Sequence, residues 1–155
     1  MPIYEDSEDR EKQSEAIAIV REFLSHRIII ETPERFRINH DFTIHDQQHF
    51  KTGAGEVKCR RYTADFFRKN PWIFEVERIN SLYNSCEKLG IMVMLVLYTK
   101  DKVVFWVALK DILKVWDSLE AAPDYMMTDN HGKKIADKTG ILIPPEMLHE
   151  IRRKL

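Results

Sequence analysis

Cysteine is nearly absent. The two residues, Cys59 and Cys86, stand far apart with no CxxC partner, which excludes a disulfide framework and a cysteine-based zinc site and leaves reduced, structural thiols. Glycine and proline are scarce, five and six residues in 155, so collagen-like and low-complexity classes are excluded. The longest strongly apolar run, "IMVMLVLY" at 91 to 98, is far shorter than the roughly 20 residues of a membrane-spanning helix. The opening "MPIYEDSEDREKQ" is acidic and lacks the basic-then-apolar order of a secretory signal; the expected location is the cytoplasm. There is no GxSxG or P-loop pattern, so neither a serine nucleophile nor a nucleotide cradle is indicated, and no organic cofactor is expected. An excess of one charge is also missing: 24 Lys and Arg stand against 25 Asp and Glu. The chain is therefore not one that holds nucleic acid over its whole surface.

What is present is ordinary globular material, 44% hydrophobic and 32% charged, expected to form one domain over residues 1–155. The charge is unevenly laid out. The first 15 residues are mostly acidic, while Lys58, Arg60, Arg61, Arg68 and Lys69 form a basic cluster. Residues 8 to 26 read as a helix, because Ala16, Ile17, Val20, Phe23 and Leu24 recur at spacings of three and four. "RIIIET", 27 to 32, is rich in β-branched residues and reads as a strand ended by Pro33. "RFRINHDFTIHD", 35 to 46, alternates, with Phe36, Ile38, Phe42 and Ile44 on one face and Arg37, Asn39, Asp41 and Thr43 on the other. A polar loop, "QQHFKTGAG", leads to a third strand, "EVKCRRYT". A helix over about 75 to 89, with Val76, Ile79, Leu82, Tyr83 and Cys86 in helical spacing, is closed by Gly90. Two strands follow, "IMVMLVLYT" and "KVVFWVAL", around the turn Lys100-Asp101-Lys102. Residues 110 to 120 read as helical, "TDNHGKKIADKTG" as an exposed loop or hairpin, and "PPEMLHEIRRKL" as a short final helix with proline at its start. The element order predicts an α/β/α sandwich with a central mixed sheet and a small C-terminal extension over about 111–155.

Within "GAGEVKCRR", Glu56 and Lys58 are two apart and share a strand face. Alone, the pair is common on any polar strand edge. A metal site that hydrolyses phosphodiesters needs a second carboxylate, and the adjacent strand offers one. If 35 to 46 and 56 to 63 pair as an antiparallel hairpin with Asp41 opposite Glu56, then Asn39 faces Lys58, Thr43 faces Ala54, and Phe42, Ile44 and Val57 gather on the other face. Placing Asp46 opposite Glu56 instead puts Ile44 beside Lys58 and Phe42 beside Arg60, mixing apolar with charged positions. Asp41 is the preferred partner, and Asp46 stands as the alternate ligand.

These residues resemble the PD-(D/E)XK nuclease superfamily, whose members include restriction endonucleases, archaeal Holliday-junction resolvases and phage exonucleases. The resemblance rests on Asp41-Phe42-Thr43-Ile44, then Glu56-Val57-Lys58 after a turn, with a helix carrying Glu15 before them and a helix and strand pair behind, over about residues 8 to 110. One departure is His40, which precedes Asp41 where the name-giving proline would stand. The resemblance implies a restriction-endonuclease-like fold and a nuclease acting on DNA. Asp41 and Glu56 would bind Mg²⁺ or Mn²⁺, with the Val57 carbonyl as a further ligand, and Lys58 would orient or activate water. Glu15 matches the acid many members carry on the first helix, with Glu22 as its competitor. Arg60, Arg61, Arg68 and Lys69 would meet phosphates. Small size favours a structure-selective enzyme, a junction resolvase or a phage recombination or repair nuclease, in the host cytoplasm if viral. A resolvase implies a homodimer, with the "VVFWVAL" strand or the C-terminal third as interface.

Two other readings stand beside this one. His40, Asp41, His45, Asp46 and His49 crowd into ten residues and are the types a 2-His-1-carboxylate centre uses, but His40 and His45 point to opposite faces of a strand. The other is a non-catalytic module with the same fold that binds a protein partner at a sheet edge.

Overall fold

The computed structural model describes residues 7–33, 40–122, 126–128, 134–137 and 139–152. Residues 35–39 of the predicted second strand lie outside them, Asn39 included. Helix α1 (Ser7–Phe23) is followed by β1 (Ile28–Glu31), β2 (Phe42–His45) and β3 (Lys51–Cys59). Then come α2 (Ala64–Lys69), β4 (Trp72–Glu75) and α3 (Val76–Ser85), and after them β5 (Met92–Tyr98), β6 (Val104–Ala108) and α4 (Leu109–Lys114). The C-terminal part holds β7 (Ala121–Ala122), β8 (Met126–Thr128), β9 (Lys134–Asp137), β10 (Gly140–Ile143) and β11 (His149–Ile151).

The main sheet has six strands in the order β1-β2-β3-β5-β6-β11. Only β3 and β5 are parallel among its pairs; the others are antiparallel. That parallel step requires a crossover, and α2, β4 and α3 make it. Alternation along the strands sends their side chains to two cores. Under α1 lie Ala16, Ile17 and Val20 with Phe42, Val57, Val96 and Val104. On the other face Ala54, Leu95, Leu97, Phe105 and Val107 pack against Phe67, Trp72, Phe74, Ile79, Leu82 and Ile112. This is the expected α/β/α arrangement with a mixed central sheet.

The hairpin pairs in the register that sequence alternation favours: Thr43 lies opposite Ala54 and Phe42 opposite Gly55, with a shift between Ile44 and His45. The third strand, however, runs over 51–59 and not 56–63. Gly53 and Gly55, read as part of a loop, are therefore interior strand residues. Gly55 is needed for closeness: a Cβ there would lie 1.9 Å from the Phe42 ring. Gly90 closes the helical segment with φ 84, as its position predicts. Tyr83, placed in the apolar stripe, is exposed.

Three departures concern short elements. α2 and β4 are absent from the sequence expectation, which had one featureless stretch there. The final helix is a short 3₁₀ turn, Pro145–Met147, followed by β11, whose Glu150 lies opposite Phe105 of β6. The C-terminal third does not stand apart: β10 sits between β4 and β7 in a second sheet. β6 is thus internal, so its backbone offers no free edge to a second copy. Trp72 is buried in the core at 1% exposure. No described helix is long and apolar enough to cross a membrane.

Candidate functional site

β2 ends at Phe42–His45 while β3 runs on to Cys59, so the backbone of β3 beyond Gly55 has lost its neighbour on that side. Asp41 fills this place. Its N–H donates to the Gly55 carbonyl at 2.8 Å, its carbonyl accepts from the Thr32 N–H at 2.9 Å, and its Oδ2 accepts from the Val57 N–H at 2.7 Å. A backbone donor at a strand end must find an acceptor, and here a carboxylate supplies it. Asp41 is 3% exposed and Glu56 5%. Two carboxylates this buried are uncommon unless paired or bound to a cation.

Glu56 rises on the face that carries Ala54. Its Oε2 accepts a hydrogen bond from Arg78 Nη2 at 2.5 Å, and its Oε1 lies 3.5 Å from Lys58 Nζ. Arg78 stands on the first turn of α3. It is four positions before Leu82 and three after Glu75, on the buried stripe of the helix, and its side chain is only 18% exposed. Burial opposes its charge, but the attraction of Glu56, followed by Asp41 and Glu75, more than offsets this and raises its pKa. Sequence reasoning missed Arg78. Its signal was a cation at helical spacing from buried Leu82, where an apolar residue would be ordinary. His40, next to Asp41, has its pKa lowered, first by burial and then by Lys51, while Glu56 works the other way.

Asp46 plays a different part. Its Oδ1 accepts the N–H groups of Gln48 and Phe50 at 2.9 and 3.0 Å, shaping the turn before β3. His45 Nε2 meets Thr43 Oγ1 at 2.9 Å and its Nδ1 faces the His49 carbonyl at 3.3 Å. Among the described residues no group of three or more His, Cys, Asp or Glu is placed to hold a metal ion by itself. The two-carboxylate set of Asp41 and Glu56 suits a hard ion such as Mg²⁺, which takes one or two carboxylates and keeps waters and substrate oxygens for the rest.

Glu15 is elsewhere. It accepts from the Tyr98 hydroxyl at 3.2 Å and lies 3.8 Å from Lys102 Nζ, on the α1 side of the sheet where Cys59 and Tyr98 point. A cleft of about 370 Å³ opens here at the carboxyl ends of β3 and β5, lined by Lys12, Arg60, Arg61, Lys100 and Lys102 together with Asp9 and Glu15. The candidate phosphate contacts are thus divided. Arg60 and Arg61 line this cleft, whereas Arg68 pairs with Glu150 at 2.7 Å and Lys69 with Asp65 at 3.0 Å. Cys59, beside the cleft, has a thiol pushed up to about 12, by burial first and Asp9 next; it is no nucleophile at neutral pH.

No family model matches the chain and no curated protein sequence matches it. Among solved structures it is similar to Hjc, a Holliday junction resolvase from the hyperthermophilic archaeon Archaeoglobus fulgidus, at a TM-score of 0.54 and 13% identity, over 94% of this chain and 93% of that one. The likeness therefore extends through the C-terminal third, well beyond residue 110. At that identity it speaks to the fold alone: the chain shares with Hjc a mixed α/β architecture built on a central mixed sheet.

Proposed function

We propose that this protein is a metal-dependent nuclease that hydrolyses phosphodiester bonds in DNA. The observation that carries this reading is a pair of buried carboxylates, Asp41 and Glu56, that both act on Arg78 at the end of β2, with Lys58 3.5 Å from Glu56, in a chain whose fold is shared with Hjc. Asp41 and Glu56 would hold Mg²⁺ or Mn²⁺. Such an ion supplies a Lewis acid for the phosphoryl oxygens and a more acidic water.

The chain's own residues have separate tasks. The Val57 N–H holds the Asp41 carboxylate in place, which limits its rotation. Lys58 reaches past Glu56 and is partly exposed at 23%, so its ammonium can meet the attacking water or the negative charge that builds on phosphorus. Arg60 and Arg61 follow directly and suit the flanking phosphates, since guanidinium groups pair with phosphate through two parallel hydrogen bonds. Contact is focused, in keeping with a net charge of −1. Glu15, a member of the site by resemblance, would act from the neighbouring cleft.

Within this reading, a structure-selective enzyme of the resolvase or recombination and repair type is favoured, in the form of a homodimer, since resolving a junction needs two active sites. The decisive experiment is cleavage of plasmid, linear, single-stranded and four-way-junction DNA with Mg²⁺ or Mn²⁺, with Lys58→Ala as control. Cleavage by the native protein and its loss in the variant is the expected result. If no substrate is cut with Mn²⁺ present, the enzymatic reading fails, and the module that binds a protein partner takes its place.

A further inference from the structure

The buried cation beside Glu56 has a role of its own. We propose that Arg78 is a positioning residue that holds Glu56 when no metal ion is bound and competes with the ion for the same carboxylate, so that loading of the site requires Arg78 to leave. This rests on the metal-dependent reading above.

The geometry carries the argument. Glu56 has two oxygens. One accepts from Arg78 at 2.5 Å and the other faces Lys58 at 3.5 Å. With the Glu56 side chain only 6% exposed, little of it faces solvent. An ion that binds the Oε2 atom takes up space that the 2.5 Å Arg78 contact occupies and is repelled by the guanidinium, so ion and Arg78 compete for that oxygen. The Arg78 contact is the shorter and charge-assisted, and its loss is the larger change. Arg78 sits on the first turn of α3 with 18% of its side chain exposed, which gives it a path toward solvent, whereas Asp41 is held by the Val57 N–H. Its guanidinium stays charged after release, with the Asp41 and Glu75 carboxylates close enough to act on it and a substrate phosphate as a further anion it could meet.

Competition has a thermodynamic signature. The apparent affinity for the ion is reduced by the fraction of molecules in which Glu56 is free of Arg78, so removing Arg78 removes that reduction. A residue that only stabilises the fold would leave affinity alone. Arg78→Met and Arg78→Lys can be compared with the native protein by Mn²⁺ titration, followed by electron paramagnetic resonance, and by thermal unfolding with and without Mn²⁺. Arg78→Met should bind Mn²⁺ about tenfold more tightly, in the usual range of coupling between two ligands. It should also unfold at a lower temperature without Mn²⁺ and gain more from Mn²⁺ than the native protein does. Arg78→Lys, which keeps the charge but not the planar fork, should fall between them. If Arg78→Met does not fold, Arg78→Lys carries the test alone. Unchanged or weaker Mn²⁺ affinity in a folded variant overturns the proposal while leaving the nuclease reading intact. A native protein that binds no Mn²⁺ and cuts no DNA overturns both.

Discussion

Two glutamates with lysine neighbours lie on opposite faces of the same sheet. Glu56 is all but sealed, with Lys58 and Arg78 against it, whereas the Glu15 side chain is 47% exposed and its partner Lys102 is 70% exposed. The residue types are alike, but the surroundings set the energy. Charges in the low-dielectric interior are strongly coupled, and removing one leaves its partner at a loss of several kcal/mol. At the surface the same pair is screened by water and salt. A charge is therefore held fixed at Glu56, whereas at the cleft it stays mobile and solvated.

The sharpest way to break this contrast is to neutralise each glutamate in turn. Glu56→Gln should lower the rate of DNA cleavage by about a thousandfold or more, since a bound metal supplies several kcal/mol of transition-state stabilisation. Glutamine is preferable to alanine because it keeps a polar group against Arg78. Glu15→Gln should have a smaller effect on rate and change stability by less than about 1 kcal/mol in denaturant titration. Equal loss of activity in the two variants would join the cleft to the reacting centre and erase the distinction. Next in size is Gly55→Ala, which tests the packing beneath α1. With Phe42 fully buried and the added methyl overlapping its ring, chemical denaturation should show a loss of about 3 kcal/mol.

Asp101, in the turn between β5 and β6, gives a smaller effect. Its Oδ1 accepts from the Ala64 N–H at 2.8 Å and from Thr99 Oγ1 at 2.6 Å, tying the β5–β6 turn to the start of α2. Asp101→Ala should lower stability by about 1 kcal/mol, the usual value of a helix cap. The Thr99 hydroxyl and then the Ala64 N–H hold the Asp101 carboxyl below its ordinary 3.8. The folded form therefore binds its proton less readily than the unfolded form. Its contribution is complete above that value and lost as pH falls through the lower folded value, so the Asp101→Ala difference should shrink in urea titrations taken toward pH ~2. The mildest test is chemical: Cys59, with its thiol held protonated up to about 12, should resist iodoacetamide at neutral pH in the folded protein and react once it is unfolded.

The hairpin was legible because alternation is a local property. Phe42 and Ile44 on one face, with Thr43 on the other, leave one register that keeps apolar residues together, and the structure pairs Thr43 with Ala54 accordingly. Asp41 and Glu56 follow from that register. The start of β3 was not legible, because glycine is a poor strand former in isolation and the fit of Gly55 to Phe42 depends on a strand from the other side of a loop. Arg78 was hidden for a similar reason: its partner lies 22 residues earlier, and local spacing cannot tell a solvated arginine from one turned inward. The C-terminal segment misled in the opposite sense. Pro145, Leu148 and Ile151 have helical spacing, but ladder hydrogen bonds to β6 outweigh local preference.

That ladder also sets an order of events. Among the described residues β4 pairs with β10 and β6 takes β11 as its outer partner, both encoded far downstream. During synthesis, with the N-terminal part of a chain emerging first, the strand edges of β4 and β6 would wait uncovered until residues 140–151 arrive. Contacts of such long sequence separation slow folding and leave intermediates open to association. The same late strands that complete the two sheets are thus the point at which the nascent protein is most exposed to its neighbours.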